Sequence, residues 1–241
     1  MRVTLLGTMG WMPSDRRETT CFACRLGDDT FIFDAGTGLR RLRGLAYLPG
    51  VLPGRRLVIH APEAAVNGVD PFAAVTGLLR KPYNPRDWED LEGITLEPLS
   101  AGINEVAGHR VGLRPQQHSD VSVAYRIDDD FVLATDTRPD PETARFAEGA
   151  SVLLHEAWYN DADPRTAQAP AELLPGYATH SEISAVAEIA HAAGVSRLVP
   201  MHLNPLHDED YYRALESAAR AVFAHTDVLP DGAVVDTAAN G

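Results

Sequence analysis

The chain has 241 residues, 45% of them apolar and 23% charged, which is near the average for a globular domain and excludes a disordered or low-complexity chain. Its 34 acidic against 21 basic side chains give a formal charge of −13, which would repel a phosphate backbone and argues against broad nucleic-acid binding. No stretch approaches the roughly 18 consecutive apolar residues of a membrane span, and the N-terminal apolar run is too short for a secretory signal. The expectation is a cytoplasmic protein with one domain over residues 1–241.

The first half reads as strands joined by turns. Residues 3–6 form a short apolar run closed by Gly7 and Gly10. Residues 22–26 and 30–34 flank Gly27-Asp28-Asp29, a hairpin signal. Cys21 and Cys24 sit in Thr19-Thr-Cys-Phe-Ala-Cys-Arg-Leu26, which reads as a strand; three positions apart they face opposite sides, so two free thiols are expected rather than a redox or zinc pair. The Pro/Gly-rich stretch 48–54 is a surface loop. Strand patterns resume at 57–60, 94–99, 110–114, 121–127 and 131–134, with Asp128-Asp129-Asp130 as a tight turn.

Helices and strands alternate afterwards. Residues 140–148 predict a short helix with Pro141 at its first position. Residues 152–155 predict a buried strand. Residues 181–193 predict a helix with Ser181 as N-cap and Gly194 as terminator. A strand at 198–201 and a long helix at 208–223 follow. The pattern is that of a mixed α/β fold, strand-rich first and alternating later.

Ionisable residues gather where strands end. His118 follows the 110–114 strand, Asp136 closes Phe131-Val-Leu-Ala-Thr-Asp, and His155-Glu156 close Ser151-Val-Leu-Leu-His-Glu. His202 closes Arg197-Leu-Val-Pro-Met-His, and His180 precedes the helix leading into that strand. In layered α/β folds such ends line one edge, where ligands bind. Imidazole and carboxylate are also the donors preferred by zinc and similar divalent ions. His60, His109, His191, His207 and His225 read as ordinary structural or surface histidines.

At these residues the chain resembles a family. Val3-Thr-Leu-Leu-Gly-Thr-Met-Gly10 and Phe33-Asp34-Ala35-Gly36-Thr37-Gly38 look like the opening of metallo-β-lactamase-fold hydrolases of the ribonuclease Z and phosphodiesterase branch. His118 ahead of Tyr125-Arg126, Thr135-Asp136-Thr137, His155-Glu156-Ala157, His180-Ser181 and Met201-His202-Leu203-Asn204-Pro205 resemble its later motifs, in the family's order. The resemblance implies a four-layer αββα sandwich with two zinc (or manganese) ions between the sheets. His118 would bind the first ion, Asp136 would bridge both, and His202 would bind the second. His180 would be the acid toward the leaving group or hold a phosphate oxygen, oriented by Glu156, and Asp34 would brace the metal loop from behind. Two such ions lower the pKa of a shared water and clamp phosphoryl oxygens. A homodimer is also implied.

The resemblance breaks at one point. The family's His-x-His-x-Asp-His signature should lie between Gly38 and His60, yet Leu39-Arg40-Arg41-Leu42-Arg43 runs there without histidine or aspartate. Four of the family's seven ligands go with it, leaving each ion two contacts where a catalytic zinc takes about three. Three explanations stand: a segment absent from this sequence, a scaffold that has lost its chemistry, or a substitute ligand such as His60. Only 17 residues separate His118 from Asp136, and no long basic arm appears. With the negative charge, this argues against transfer RNA and for a small phosphodiester or related ester. The rival expectations are a catalytically silent protein of this fold that binds a small ligand or a partner, and a lactonase or thioesterase on the same scaffold.

Overall fold

A computed structural model describes residues 1–34, 57–82, 85–167 and 177–237. The expected loop at 48–54 and the Ala35-Gly36-Thr37-Gly38 part of the opening motif lie outside the described residues. The strands are β1 (Arg2–Gly7), β2 (Cys21–Leu26), β3 (Asp29–Phe33), β4 (Leu57–Pro62), β5 (Ile94–Leu99), β6 (Gly102–Val106), β7 (His109–Pro115), β8 (Val123–Ile127), β9 (Phe131–Ala134), β10 (Val152–Glu156), β11 (Arg197–Met201) and β12 (Val234–Asp236). The helices are α1 (Ala64–Asn67), α2 (Pro71–Leu78), α3 (Pro141–Phe146), α4 (Pro164–Ala167), α5 (Ile183–Ala193) and α6 (Glu209–Val222).

Strand alternation builds the layers. A strand buried on both faces sends successive side chains to opposite sides. In β10, Val152 and Leu154 point into one apolar cluster while Leu153 points into another; Phe131 and Leu133 against Val132 repeat this in β9, and Val199 and Met201 against Leu198 in β11. The first cluster is shared with Val3, Leu5, Phe22, Cys24, Phe33 and Val235, so it lies between two sheets. The second is shared with Val186, Ala190, Tyr211 and Leu215, so α5 and α6 cover the other face. Each fully buried Leu, Val or Phe at these positions contributes about 1.5–3 kcal/mol of hydrophobic transfer.

One sheet has the order β12-β1-β2-β3, all antiparallel; the other runs β11-β10-β9-β8-β7-β6, with β9, β10 and β11 mutually parallel. Strands β4 and β5 form a separate parallel pair. Leu26 pairs with Asp29, so Gly27-Asp28 is the hairpin turn, with Gly27 at φ 57° where a side chain would be strained. Cys21 and Cys24 are both buried and form no disulfide. Asp140 and Asp208 cap α3 and α6 by accepting from the backbone N–H groups of Glu142 and Tyr211.

One expectation about local structure is corrected. Ser181 is not the N-cap of α5; Glu182 holds that position, without a side-chain bond to the N-terminal backbone of the helix, its carboxylate accepting from the Tyr159 hydroxyl instead. Ser181 is fully buried, and its hydroxyl donates instead to the Thr137 carbonyl at 2.7 Å. The serine was claimed by a long-range partner.

Candidate functional site

Parallel pairing brings three strand ends together. Residue His155 of β10 is level with Ala134 of β9 and Pro200 of β11. Asp136 and His202 lie just past those neighbours, both with left-handed backbone, φ 50° and 52°. Non-glycine residues rarely adopt that region, and such strain concentrates at functional sites. Ligand atoms of Asp136, Glu156, His180 and His202 all lie within 4.8 Å of one another. Asp136 is partly exposed; Glu156 and His202 are buried.

His202 has a fixed tautomer. Thr20 Oγ1 donates its one proton to the Met9 carbonyl at 2.6 Å and lies 3.1 Å from His202 Nδ1. The ring must therefore donate from Nδ1, which leaves the Nε2 lone pair facing Asp136 Oδ1 at 3.2 Å. Two acceptors at that distance call for a cation or a proton between them. Burial pushes the His202 imidazole below its ordinary value, opposed by Asp136 and Glu156.

Glu156 uses both oxygens. Oε1 accepts from the backbone N–H groups of Ser181 at 2.9 Å and Thr137 at 3.1 Å; Oε2 meets His180 Nδ1 at 2.6 Å. Complete burial raises this carboxyl well above the usual range, while His202 pulls it back and Asp136 adds to the rise. With Nδ1 occupied by Glu156, His180 keeps Nε2 for a ligand. Trp158 stacks on the His180 ring at 4.2 Å and holds its plane. Burial lowers the His180 pKa against the pull of Asp136.

The remaining expected residues fall outside this group. The His118 ring is 5.0 Å from that of His180, but His118 is not among the four clustered donors. Its Nδ1 accepts from the Asp120 N–H at 3.2 Å, and its Nε2 is buried without a partner. Burial lowers its pKa, with Asp136 opposing. His155 shares the parity of Leu153, so it points to the helical layer. It donates Nδ1–H to the Glu156 carbonyl at 2.8 Å, and burial pushes its pKa down to about 4. His60 stands on β4 opposite Glu97 and is not among the four clustered donors. Asp34 is exposed at the end of β3. Thr20 and Trp158 were not anticipated; for Trp158 the signal was its place directly after His155-Glu156-Ala157.

No family model matches the chain. Along its length it is 25% identical to a ribonuclease Z of Methanothermobacter thermautotrophicus, covering 99% of this chain and 97% of that one. That alignment spans 309 positions, more than the 241 residues here, so the relative carries segments without counterpart. A ribonuclease Z of Gemmatimonas aurantiaca is 36% identical over 108 residues, 45% of this chain and 32% of that one. Among solved structures, the metallo-β-lactamase fold protein YhfI of Bacillus subtilis superposes with TM-score 0.73 at 17% identity, covering 97% and 98% of the two chains. The short form of human tRNase Z superposes with TM-score 0.66 at 16% identity, covering 98% and 99%. The chain has the metallo-β-lactamase fold and is ribonuclease Z-like in sequence.

This ribonuclease Z-like chain offers donors that fit a divalent ion. The buried His202 lone pair aimed at Asp136, with a second imidazole, that of His180, beside them, is a hard-to-borderline set of the kind zinc or manganese accepts. Among the described residues no helix is long and apolar enough to cross a membrane.

Proposed function

We propose that the chain is a metal-dependent phosphodiester hydrolase. The observation that carries this is the four-donor cluster at the ends of β9, β10 and β11 in a chain of ribonuclease Z-like sequence. Asp136 and His202 would hold the ion. A bound zinc or manganese supplies Lewis acidity and brings the pKa of water near neutrality. The chain's own part is orientation: Thr20 fixes the His202 tautomer, and Glu156 with Trp158 fixes the His180 ring. Two tasks fit His180 Nε2, protonating the leaving oxygen, as the resemblance implies, or binding the ion. The reaction adds water across one P–O bond and yields a phosphomonoester and an alcohol. The two-ion form implied by the family would need donors beyond this cluster.

For substrate we propose a small phosphodiester. The relatives' name gives RNA as theirs, and a structural neighbour is described as a diphosphatase of the PhnP family. Here the charge of −13 disfavours a long polyanion. The test is a panel run with added zinc or manganese: bis-p-nitrophenyl phosphate, a short RNA, a lactone and a thioester. Metal-dependent cleavage of the phosphodiester, lost with chelator, is expected. Turnover of the lactone or thioester alone would overturn the reading, and RNA as the preferred substrate would overturn the small-substrate part.

A further inference from the structure

Resting on the hydrolase reading, we infer that this chain holds a single divalent ion, with His180 as its third ligand beside Asp136 and His202, and with His118 outside the set. Supply comes first. All nine histidines of the sequence are among the described residues, and the residues outside them contain one candidate donor side chain, Glu172, and no histidine, cysteine or aspartate. Residues 35–56, where the family signature would fall, contribute no acidic residue, histidine or cysteine at all. Among the described residues one group of three or more donors gathers, so a second ion lacks a ligand set there, while one ion finds three donors and keeps a coordination position open.

Preparation of the rings comes second. A metal-binding imidazole donates one ring N–H to a carboxylate, carbonyl or similar acceptor and offers the other nitrogen as a lone pair. His202 meets this through Nδ1 on Thr20, and His180 through Nδ1 on Glu156 Oε2 at 2.6 Å. His118 is set the opposite way: the Asp120 N–H donates to its Nδ1, so the neutral ring carries its proton on Nε2. Position agrees, since His180 and not His118 belongs to the group within 4.8 Å. Glu156, with both oxygens engaged, is a positioning residue rather than a ligand. His180 thus supplies the third donor where the family signature is absent, and the leaving group's proton comes from elsewhere.

Cobalt(II) is the probe. Titration of the purified chain, followed by its visible absorption and by metal analysis, is expected to saturate at one ion per chain. His180→Ala is expected to weaken binding by at least a hundredfold, whereas His118→Ala keeps the stoichiometry and stays within about threefold. The decisive variant is His180→Cys: a thiolate-to-cobalt charge-transfer band, absent from the wild type, appears only if position 180 touches the ion. Thermal melting of each variant shows that it folds. Glu156→Gln, leaving the ligands in place, is expected to lower affinity by roughly 10–100-fold. Two ions per chain, or binding that depends on His118 and shows no charge-transfer band at position 180, overturns the inference; continued phosphodiester cleavage in that case leaves the hydrolase reading standing. No cobalt binding and no cleavage would overturn both.

Discussion

Strands β3 and β9 both lead into an aspartate with left-handed backbone, and only the second of these becomes part of a cluster. Asp34 follows β3 at φ 47° and Asp136 follows β9 at φ 50°. Asp136 joins Glu156, His180 and His202. Asp34 is exposed, and its charge adds to burial in pushing the Tyr125 phenol up to about 12. Strand direction accounts for the difference. Neighbours in β12-β1-β2-β3 alternate in direction, so adjacent C-terminal ends fall on opposite edges. Parallel β9, β10 and β11 deliver three ends to one edge, within reach of each other. A strand-end carboxylate acquires chemistry when its neighbours run the same way.

The largest expected effect tests that contrast directly. Asp136→Ala removes the residue facing His202 Nε2, and we expect metal binding to be lost and kcat/KM to fall by on the order of a thousandfold, ~4 kcal/mol of barrier. Asp34→Ala is expected to change both by less than about threefold. Equal loss in the two variants, read by metal analysis and steady-state kinetics, would break the comparison.

The next effect concerns stability. Leu154, fully buried between the sheets, should cost about 2–5 kcal/mol when replaced by alanine. Strand β4 is half-buried throughout and pairs with β5 in its own two-stranded unit, so Ile59→Ala should cost roughly 1 kcal/mol. Urea midpoints measure both. Similar losses would mean that the β4–β5 pair is as integral to the core as β10.

Much of this was legible because apolar runs and strand-end residues are local signals. The 131–134 strand and Asp136, or the 198–201 strand and His202, needed no knowledge of the rest of the chain. What escaped depended on partners far away. Adjacent His155 and Glu156 looked equivalent, and only the face that β10 presents to the helices sends the first away from the cluster. Ser181 had the right identity and place for a cap, but the fully buried Glu156 and Thr137 took its polar groups. Strands β6 and β12 gave weak patterns because one is an edge with Ile103 64% exposed and the other has three residues. Thr20 acts through a histidine 182 positions away, which no spacing rule announces.

The smallest expected effect ties the two regions together. Arg17, in the β1–β2 connection and nearly buried, reaches both oxygens of Glu209 at 2.7 and 2.8 Å, at the first turn of the helix covering the larger sheet. It also donates to Thr8 Oγ1 and the Leu229 carbonyl, so the guanidinium keeps partners if Glu209 is lost. The bond from Arg17 holds the Glu209 carboxyl below its ordinary value, with burial opposing. A carboxyl with a depressed folded pKa binds fewer protons folded than unfolded between its two pKa values. Its stabilisation is therefore complete above the unfolded value of 4.5 and disappears as pH falls through the lower folded one. Glu209 is about one-third exposed, which limits the pair to about 1–2 kcal/mol. Glu209→Gln should then melt below the wild type at pH 7, and the gap should narrow as the pH is lowered from 4.5 through the depressed folded value. A gap that keeps its size over that range would assign the loss to packing at the head of α6 and leave the two regions joined by their apolar contacts alone.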